Sequence, residues 1–357
     1  MAQVAASYQP LRKRPNAFGF HMTPNRALFL LFCWASVALG EPEAECDAGP
    51  TDSFLQLGIG LDRQTEPSLI YDDCWNHTRP TNAEVFHLHT PKVAGCSAVH
   101  DVAQIVGREN LWSDEVCFSF ASKAQFNHTL VMARRPRDHV FSMYEHCKNG
   151  GGPGYNAALT AIHAAPGQEN FTLPDTFGEW VRRWVQQPKF GDYSVYADDY
   201  HCYFPYNLQS LRLTCWNPFT NTPTVDTWAA IGNMSSASLV GIVEAYHESM
   251  CLFNARLKGS MPSHCNCEDA AAWASYEGTQ EDHGVSYVES VDDESDLVLE
   301  YVDYLTQVDR LLYNATVERF IEDVKAVEQQ HGVRVLCEDQ ETLLRQKAAI
   351  PELTAGR

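Results

Sequence analysis

The segment Thr90-Pro91-Lys92-Val93-Ala94-Gly95-Cys96-Ser97 combines residue types that bind an anion. It lies between a predicted strand over 84–90 and a predicted helix over 97–106, where apolar residues recur at helical spacing. A turn of this kind directs backbone N–H groups and a helix N-terminus at an anion, and Lys92 adds a point charge. Ser97 is placed to cap the helix and to bind a phosphate oxygen. An ordinary strand-to-helix turn with a serine cap is the alternative interpretation.

The order of residues in this loop argues against a metal-dependent NTPase. The phosphate loop of such an enzyme has its lysine after the last glycine, whereas Lys92 precedes Gly95. No apolar strand of the sequence ends in an evident Mg²⁺-binding aspartate. The sequence therefore favours a nucleotide that is bound without a metal.

A second basic motif follows residues 129–133, which are apolar in the manner of a buried parallel strand. Arg134 leaves the strand, a proline ends it, and Ser142 lies eight residues after Arg134 in the helix predicted to follow. Arg134 and Ser142 converge on one phosphate if the chain doubles back here. A basic surface turn is the alternative, and it suits two neighbouring residues well, Arg135 and Arg137.

The two motifs together resemble the Golgi carbohydrate sulfotransferases, which include heparan, uronyl and chondroitin sulfotransferases. In that family the Pro-Lys-x-x-Gly-x-Ser loop holds the 5′-phosphosulfate of 3′-phosphoadenosine 5′-phosphosulfate (PAPS), and Arg-x-Pro-x5-Ser-x-Tyr holds the 3′-phosphate. Three later segments, 204–209, 240–246 and 306–313, also resemble the family and follow its order. The PAPS-binding residues that the resemblance implies are Pro91, Lys92, Val93, Ala94, Gly95, Cys96, Ser97, Arg134 and Ser142.

The resemblance also implies a fold and an activity. We expect an α/β fold, a P-loop-like parallel sheet flanked by helices, in a single sulfotransferase domain over 84–335. The implied activity is sulfuryl transfer from PAPS to a hydroxyl of a glycan, glycolipid or proteoglycan, with no metal. Lys92 is expected to stabilise the leaving oxygen, and a base must accept the hydroxyl proton. Glu115 is our choice of base; Asp114, His128 and a purely solvated role for the carboxylates are the alternatives.

The cysteines indicate an oxidising compartment. Eleven of the twelve follow the N-terminal apolar segment, and in a secretory chain most of them are expected to form disulfides. Cys96 stands where the family usually has threonine, and we expect it to be unpaired because a disulfide would distort a phosphate loop. A zinc site drawn from Cys251, His264, Cys265 and Cys267 is the rival interpretation, but no second Cys-x-x-Cys motif accompanies it.

Charge and the N-terminal segments limit the location and the partners. The 357 residues contain 26 Lys and Arg against 46 Asp and Glu, so a protein that coats nucleic acid is excluded. Residues 1–26 form a basic N-terminus, and the apolar residues 27–40 are interpreted as a signal peptide or a short signal anchor. A luminal stem over 41–83 and a polar C-terminal tail over 336–357 flank the domain. Five glycosylation sequons agree with a luminal chain: Asn76, Asn127, Asn170, Asn233 and Asn314.

These features predict a single-pass type II protein of the Golgi lumen, attached to the membrane by the apolar segment if that segment is not cleaved. A secreted chain is the alternative. The expected partners are PAPS and a glycan acceptor, with no nucleic acid. A secreted, disulfide-rich carbohydrate-binding protein or a catalytically dead sulfotransferase-like protein is the alternative function.

Overall fold

The structure is a computed structural model that describes residues 83–119, 126–149, 174–186, 205–215, 225–279 and 290–349. The predicted basic N-terminus, the apolar segment and nearly all of the predicted stem lie outside these residues, as do the sequons at Asn76 and Asn170. Among the described residues, no helix has both the length and the apolar character needed to cross a membrane.

The core of the fold is a four-stranded sheet in which every neighbouring pair is parallel, in the order β2-β1-β3-β4. The strands are short and largely buried, as parallel strands covered on both faces must be. The register pairs Leu88 of β1 with Asp114 of β2 and with Val131 of β3. The bounds are β1 Val85–Leu88, β2 Leu111–Asp114, β3 His128–Ala133 and β4 Leu239–Ile242.

Helices follow β1, β3 and β4, and the buried side chains of the described residues pack in two clusters. The larger cluster covers the sheet and includes Phe86, Leu130 and Phe253, whereas the smaller one joins α2, α3 and α8 through Trp180 and Val302. The ten α-helices of the described residues are α1 Gly95–Val106, α2 Pro136–Asn149, α3 Phe177–Gln186, α4 Leu208–Thr214, α5 Thr227–Ser236, α6 Tyr246–Lys258, α7 Ala270–Trp273, α8 Asp296–Leu305, α9 Gln307–His331 and α10 Glu338–Ala348.

The strand order creates a crevice at one edge of the sheet. From β1 the chain passes through α1 to β2 on one side, and it then returns to form β3 on the other side of β1. The segments that follow β1 and β3 therefore diverge at the carboxyl ends of two adjacent strands. Ligands of open parallel α/β sheets bind at this kind of switch point.

One strand prediction was wrong. The apolar character of residues 116–120 predicts a second strand there, but β2 is Leu111–Asp114 and the described residues 116–119 are not part of a strand. The reason is the length of its neighbour: β1 ends at Leu88, opposite Asp114, so residues beyond Asp114 have no strand to pair with. The predicted α/β class is confirmed, and the strand predicted over 129–133 is confirmed with a start one residue earlier, at His128.

The predicted C-terminal tail contains a helix. Residues of α10 carry the polar surface that the sequence suggests, but Leu344 and Ala348 are buried within the larger cluster. A disulfide between Cys267 and Cys337 fixes the start of this helix to the segment that follows α6. Residues 336–349 are therefore part of the folded domain.

Disulfides were predicted, and three lie within the described residues: Cys117–Cys215, Cys251–Cys265 and Cys267–Cys337. Cys96 is disulfide-bonded as well, so the expectation of an unpaired thiol at this position was wrong. Cys96 is the second residue of α1, beyond the part of the loop with unusual backbone angles. The expectation failed because it placed Cys96 in the turn, whereas the disulfide is made from a helical position that follows the left-handed residues Lys92 and Ala94.

Candidate functional site

The predicted site residues come from three adjacent strands. The loop with Lys92 follows β1, Glu115 follows β2 and Arg134 follows β3. Because the strands are parallel, all three segments leave the sheet at the same edge. A backbone hydrogen bond from His89 N to Asp114 O, 3.0 Å, continues the pairing of β1 and β2 beyond the last residue of β1.

The loop before α1 has a strained backbone. Lys92 and Ala94 have φ angles of 62° and 57°, in the left-handed region that residues with a side chain rarely adopt. Each such residue costs about 1–2 kcal/mol. Left-handed residues in a turn orient successive N–H groups towards a common concavity that suits an anion. The strain at Lys92 and Ala94 is therefore the kind that accompanies a binding site.

The N-terminus of α1 has no side-chain cap. Its N-cap is Ala94, which carries no hydrogen-bonding side chain, and no acidic residue stands in the first turn. Ser97 was expected to cap this helix; it lies instead inside the first turn, with its side chain buried. An anion at this helix end would therefore meet neither a competing side-chain cap nor a negative side chain of the first turn.

Position 95 requires glycine because the His89 ring packs directly against its backbone. A Cβ atom at this position would lie 2.0 Å from Nε2 of His89, far inside van der Waals contact. His89 is buried, and its ring stacks on His87 at a centroid distance of 5.5 Å. The glycine thus lets the end of β1 pack directly on the first turn of α1, which holds the two sides of the loop together.

Arg134 connects the two predicted motifs. Its Nη1 donates a hydrogen bond of 3.1 Å to the carbonyl oxygen of Lys92. Its Nε is buried and has no hydrogen-bond partner among the described residues. A buried charged donor without a partner is costly, and an anionic ligand at this point would relieve that cost. The side chain thus contacts the loop and keeps a donor for a ligand.

One face of α2 also contacts the loop. His139 Nε2 donates to the carbonyl oxygen of Pro91 at 2.8 Å, and Lys92 Nζ donates to His146 Nδ1 at 3.4 Å. Ser142 lies three residues after His139 and four before His146, so all three share one face of the helix. The fully buried Ser142 is thereby placed on the face that meets residues 91–92. The convergence of Ser142 and Arg134 on one phosphate stays a prediction.

Segments distant in the sequence hold the backbone of Arg134. Gln209 accepts from Arg134 N at 3.0 Å and donates to Arg134 O at 2.9 Å. The buried carboxylate of Asp309 accepts from the N–H groups of Gln209 and Ser210. Glu244 accepts from the N–H of the next residue along the chain, at 2.8 Å, and from the hydroxyl of Tyr313, also at 2.8 Å. The three later segments that carry the resemblance therefore meet behind Arg134.

The other two arginines of the motif are paired. Arg135 donates to both carboxylate oxygens of Asp292, at 2.8 and 2.6 Å, and Arg137 donates to both of Asp303, at 2.9 and 2.7 Å. Bidentate pairs of this kind neutralise the guanidinium groups. Among the described residues of the two motifs, Lys92 and Arg134 are the cations whose contacts lie at the loop itself, through His146 and the carbonyl oxygen of Lys92 respectively.

Glu115, the predicted base, is an ion-paired carboxylate at the end of β2. Arg212 donates to its Oε2 at 3.1 Å and to its backbone oxygen at 2.6 Å. Burial raises the pKa of Glu115 to about 7, although the nearby Arg212 guanidinium acts in the opposite direction. A carboxylate with this pKa exchanges a proton near neutral pH, as a general base must.

The alternative base His128 lies at the wrong end of the sheet. It is the first residue of β3, whereas Arg134 follows the last residue of that strand. Five residue steps of extended chain separate the two ends by about 17 Å. His128 is therefore excluded as a base for chemistry at the loop.

Several residues of the site were missed from the sequence. His139 and His146 contact the loop, and Gln209 and Asp309 position Arg134. The spacing of His139, Ser142 and His146 on one helix face was visible in the sequence and is the signal that would have indicated the two histidines. Nothing in the local sequence of Gln209 indicates a contact with residue 134.

No protein-family profile, no curated protein and no solved structure matches the chain.

Proposed function

We propose that the chain is a PAPS-dependent sulfotransferase that acts on a hydroxyl of a glycan, glycolipid or proteoglycan in the Golgi lumen. The proposal includes a P-loop-like sulfotransferase fold, which the loop between β1 and α1 supports. The observation that carries the proposal is the environment of Arg134: it contacts Lys92 O and keeps a buried Nε donor without a partner among the described residues.

The proposed nucleotide position follows from the two motifs. Residues 91–97 would take the 5′-phosphosulfate, since the strained turn and the uncapped helix start favour negative charge there. Arg134 and Ser142 would take the 3′-phosphate, because both adjoin the same loop from the side of β3 and α2. His139 positions the loop for both phosphates through its hydrogen bond to Pro91.

The proposed step is an in-line displacement at sulfur. The acceptor oxygen forms a bond to the sulfuryl sulfur, and the bond from sulfur to the 5′-phosphate oxygen breaks. The products are a sulfate ester and 3′-phosphoadenosine 5′-phosphate (PAP). Lys92 supports this step because its ammonium group can stabilise the charge that develops on the leaving oxygen.

Glu115 would accept the proton that the acceptor hydroxyl loses. Its raised pKa of about 7 supports this role, since the carboxylate can then take a proton and return it to water near neutral pH. Arg212 would position the carboxylate and keep part of the population ionised. The chain itself supplies the cations that the step needs, and no metal is part of the proposed mechanism.

The test is sulfate transfer from labelled PAPS to a panel of desulfated glycans, measured with the glycosylated full chain. We expect turnover in the wild type, and a loss of at least about a hundredfold in kcat/KM in Lys92→Ala, which corresponds to 2.7 kcal/mol or more of transition-state stabilisation. Lys148→Ala is the matched control because it removes the same charge from an exposed position on α2. Full turnover in Lys92→Ala would contradict the proposal.

A catalytically dead protein that binds the nucleotide is the second candidate. The observation in its favour is the Glu115–Arg212 ion pair, which occupies the carboxylate that the mechanism uses as base. This candidate predicts that PAP binds and that no acceptor is sulfated. Turnover that is lost in Glu115→Gln would exclude it.

A further inference from the structure

The first two turns of α6 and the 3₁₀ turn that follows the helix bring together a second group of reactive side chains. His247, Cys251, His264 and Cys265 each offer one ligand atom, and these four atoms all lie within 4.8 Å of one another. Among the described residues, this is the one group of three or more such side chains that is dense enough to hold a metal ion. We propose that it binds one Zn²⁺ when the Cys251–Cys265 disulfide is reduced.

The helix supplies half of the ligand set. His247 and Cys251 are four residues apart on α6, so their side chains share one face of the helix. His264 and Cys265 are neighbours in a short 3₁₀ turn that the disulfide already fixes against this face. Two histidines and two cysteines form a set that zinc prefers in structural sites.

The ring of His247 is held in an orientation that suits a ligand. It stacks on the ring of Tyr276 with a centroid distance of 3.9 Å and an interplanar angle of 7°. Its centroid also lies 3.9 Å from the ring centroid of Trp273. Nε2 of His247 is buried and has no hydrogen-bond partner among the described residues. A metal ion bound at this nitrogen would satisfy it.

The required movement is small. In a tetrahedral site with the usual Zn–S and Zn–N distances, ligand atoms are about 3.3–3.8 Å apart. The sulfur atoms must separate to this distance, and the most distant pair of the group must approach by about 1 Å from its present limit of 4.8 Å. The two states then hold α6 to the same turn, once through a disulfide and once through the ion.

The chemistry of the exchange balances. A dithiol reductant transfers two electrons and two protons to the Cys251–Cys265 bond, which gives two thiols and an oxidised reductant. Zn²⁺ then displaces both thiol protons and forms two Zn–S and two Zn–N bonds. The dication, two thiolates and two neutral imidazoles have no net charge, which suits a site in which both cysteines are buried.

The test uses Co²⁺, since a tetrahedral cobalt site with thiolate ligands absorbs visible light and a zinc site does not. The full chain is reduced under argon with a phosphine, which contains no thiol, and it is titrated with Co²⁺ and then with Zn²⁺. We expect a visible band that saturates at one Co²⁺ per chain and disappears as Zn²⁺ replaces it. The oxidised chain is expected to give no band.

Variants separate this site from adventitious binding. His247→Ala and His264→Ala are each expected to abolish the band, whereas the paired change Cys267→Ser with Cys337→Ser removes a different disulfide and is expected to retain it. The reduced chain in guanidinium chloride measures binding to an unfolded polypeptide. The proposal is overturned if the reduced wild type gives no band, if either histidine variant keeps the full band, or if the unfolded chain gives a band of equal strength.

Discussion

The close approach of Gly95 to His89 leads to a prediction about the Gly95→Ala substitution. Its effect on the free energy of unfolding should change sign when the His89 ring is removed. A Cβ at Gly95 would lie 2.0, 2.2 and 2.7 Å from three atoms of the His89 ring. Ordinary contact begins at 3.4 Å, so the ring must move by at least 1.4 Å (3.4 − 2.0) or α1 must shift. Both groups are buried, and overpacking of this kind costs about 1–3 kcal/mol.

Helix propensity acts in the opposite direction. Gly95 is the first residue of α1 and has no positive φ, so alanine is compatible with its backbone. Alanine is favoured over glycine by about 0.5–1 kcal/mol within a helix. The two opposing effects leave a net cost of about 0–2.5 kcal/mol, so we expect Gly95→Ala to destabilise the wild type by about 1 kcal/mol. In the His89→Ala variant the ring is gone, and the same substitution should be stabilising by about 0.5 kcal/mol or more.

The assay is a double-mutant cycle by chemical denaturation of the full chain with its disulfides intact. Gly232→Ala is the matched control, since Gly232 lies within α5 and a Cβ there meets nothing within 4 Å. It should be stabilising by about 0.5–1 kcal/mol in both backgrounds. An equal effect of Gly95→Ala in the presence and absence of the His89 ring would refute the close approach that joins β1 to α1.

Three further predictions concern protons and glycans. The transfer rate should rise with pH through about 7, as Glu115 ionises, and Glu115→Gln should lose this dependence; a flat profile in the wild type would exclude the carboxylate as base. Burial lowers the pKa of His87 and of His139 from 6.5 to about 3, so their contribution to stability is full above pH 6.5 and is lost as the pH falls towards 3. Thermal unfolding measured between pH 6.5 and about pH 3 tests this, and the stability lost over that range should be smaller in His139→Gln. Asn127 is exposed whereas Asn233 Nδ2 donates to a backbone oxygen, so glycan mapping of a secreted chain should find the first occupied and the second not.

The local part of the site could be predicted from the sequence because it depends on short-range patterns. The loop at 90–97 lies between apolar and amphipathic segments, and the parallel sheet follows from the order of the elements. Arg134 is predictable for the same reason, since it follows an unbroken apolar strand.

The contacts that position the site depend on the tertiary fold and left no local signal. Gln209 lies 75 residues from Arg134, and the partners of Arg135 and Arg137 lie 157 and 166 residues away along the chain. The prediction that Cys96 is unpaired failed for a different reason. The backbone strain is at Lys92 and Ala94, and no sequence pattern shows that the turn has ended before residue 96.

The most direct test of the central claim is the binding of PAP to the full chain, measured by thermal unfolding with and without the nucleotide. At a concentration of ~100 times the dissociation constant, the nucleotide should add roughly 2.7 kcal/mol of stability. We expect this gain to be lost in Arg134→Ala and retained in Arg256→Ala, which removes an exposed arginine paired with Asp323. A wild-type chain that saturating PAP does not stabilise would contradict the account, as would an Arg134→Ala variant that binds PAP as tightly as the wild type.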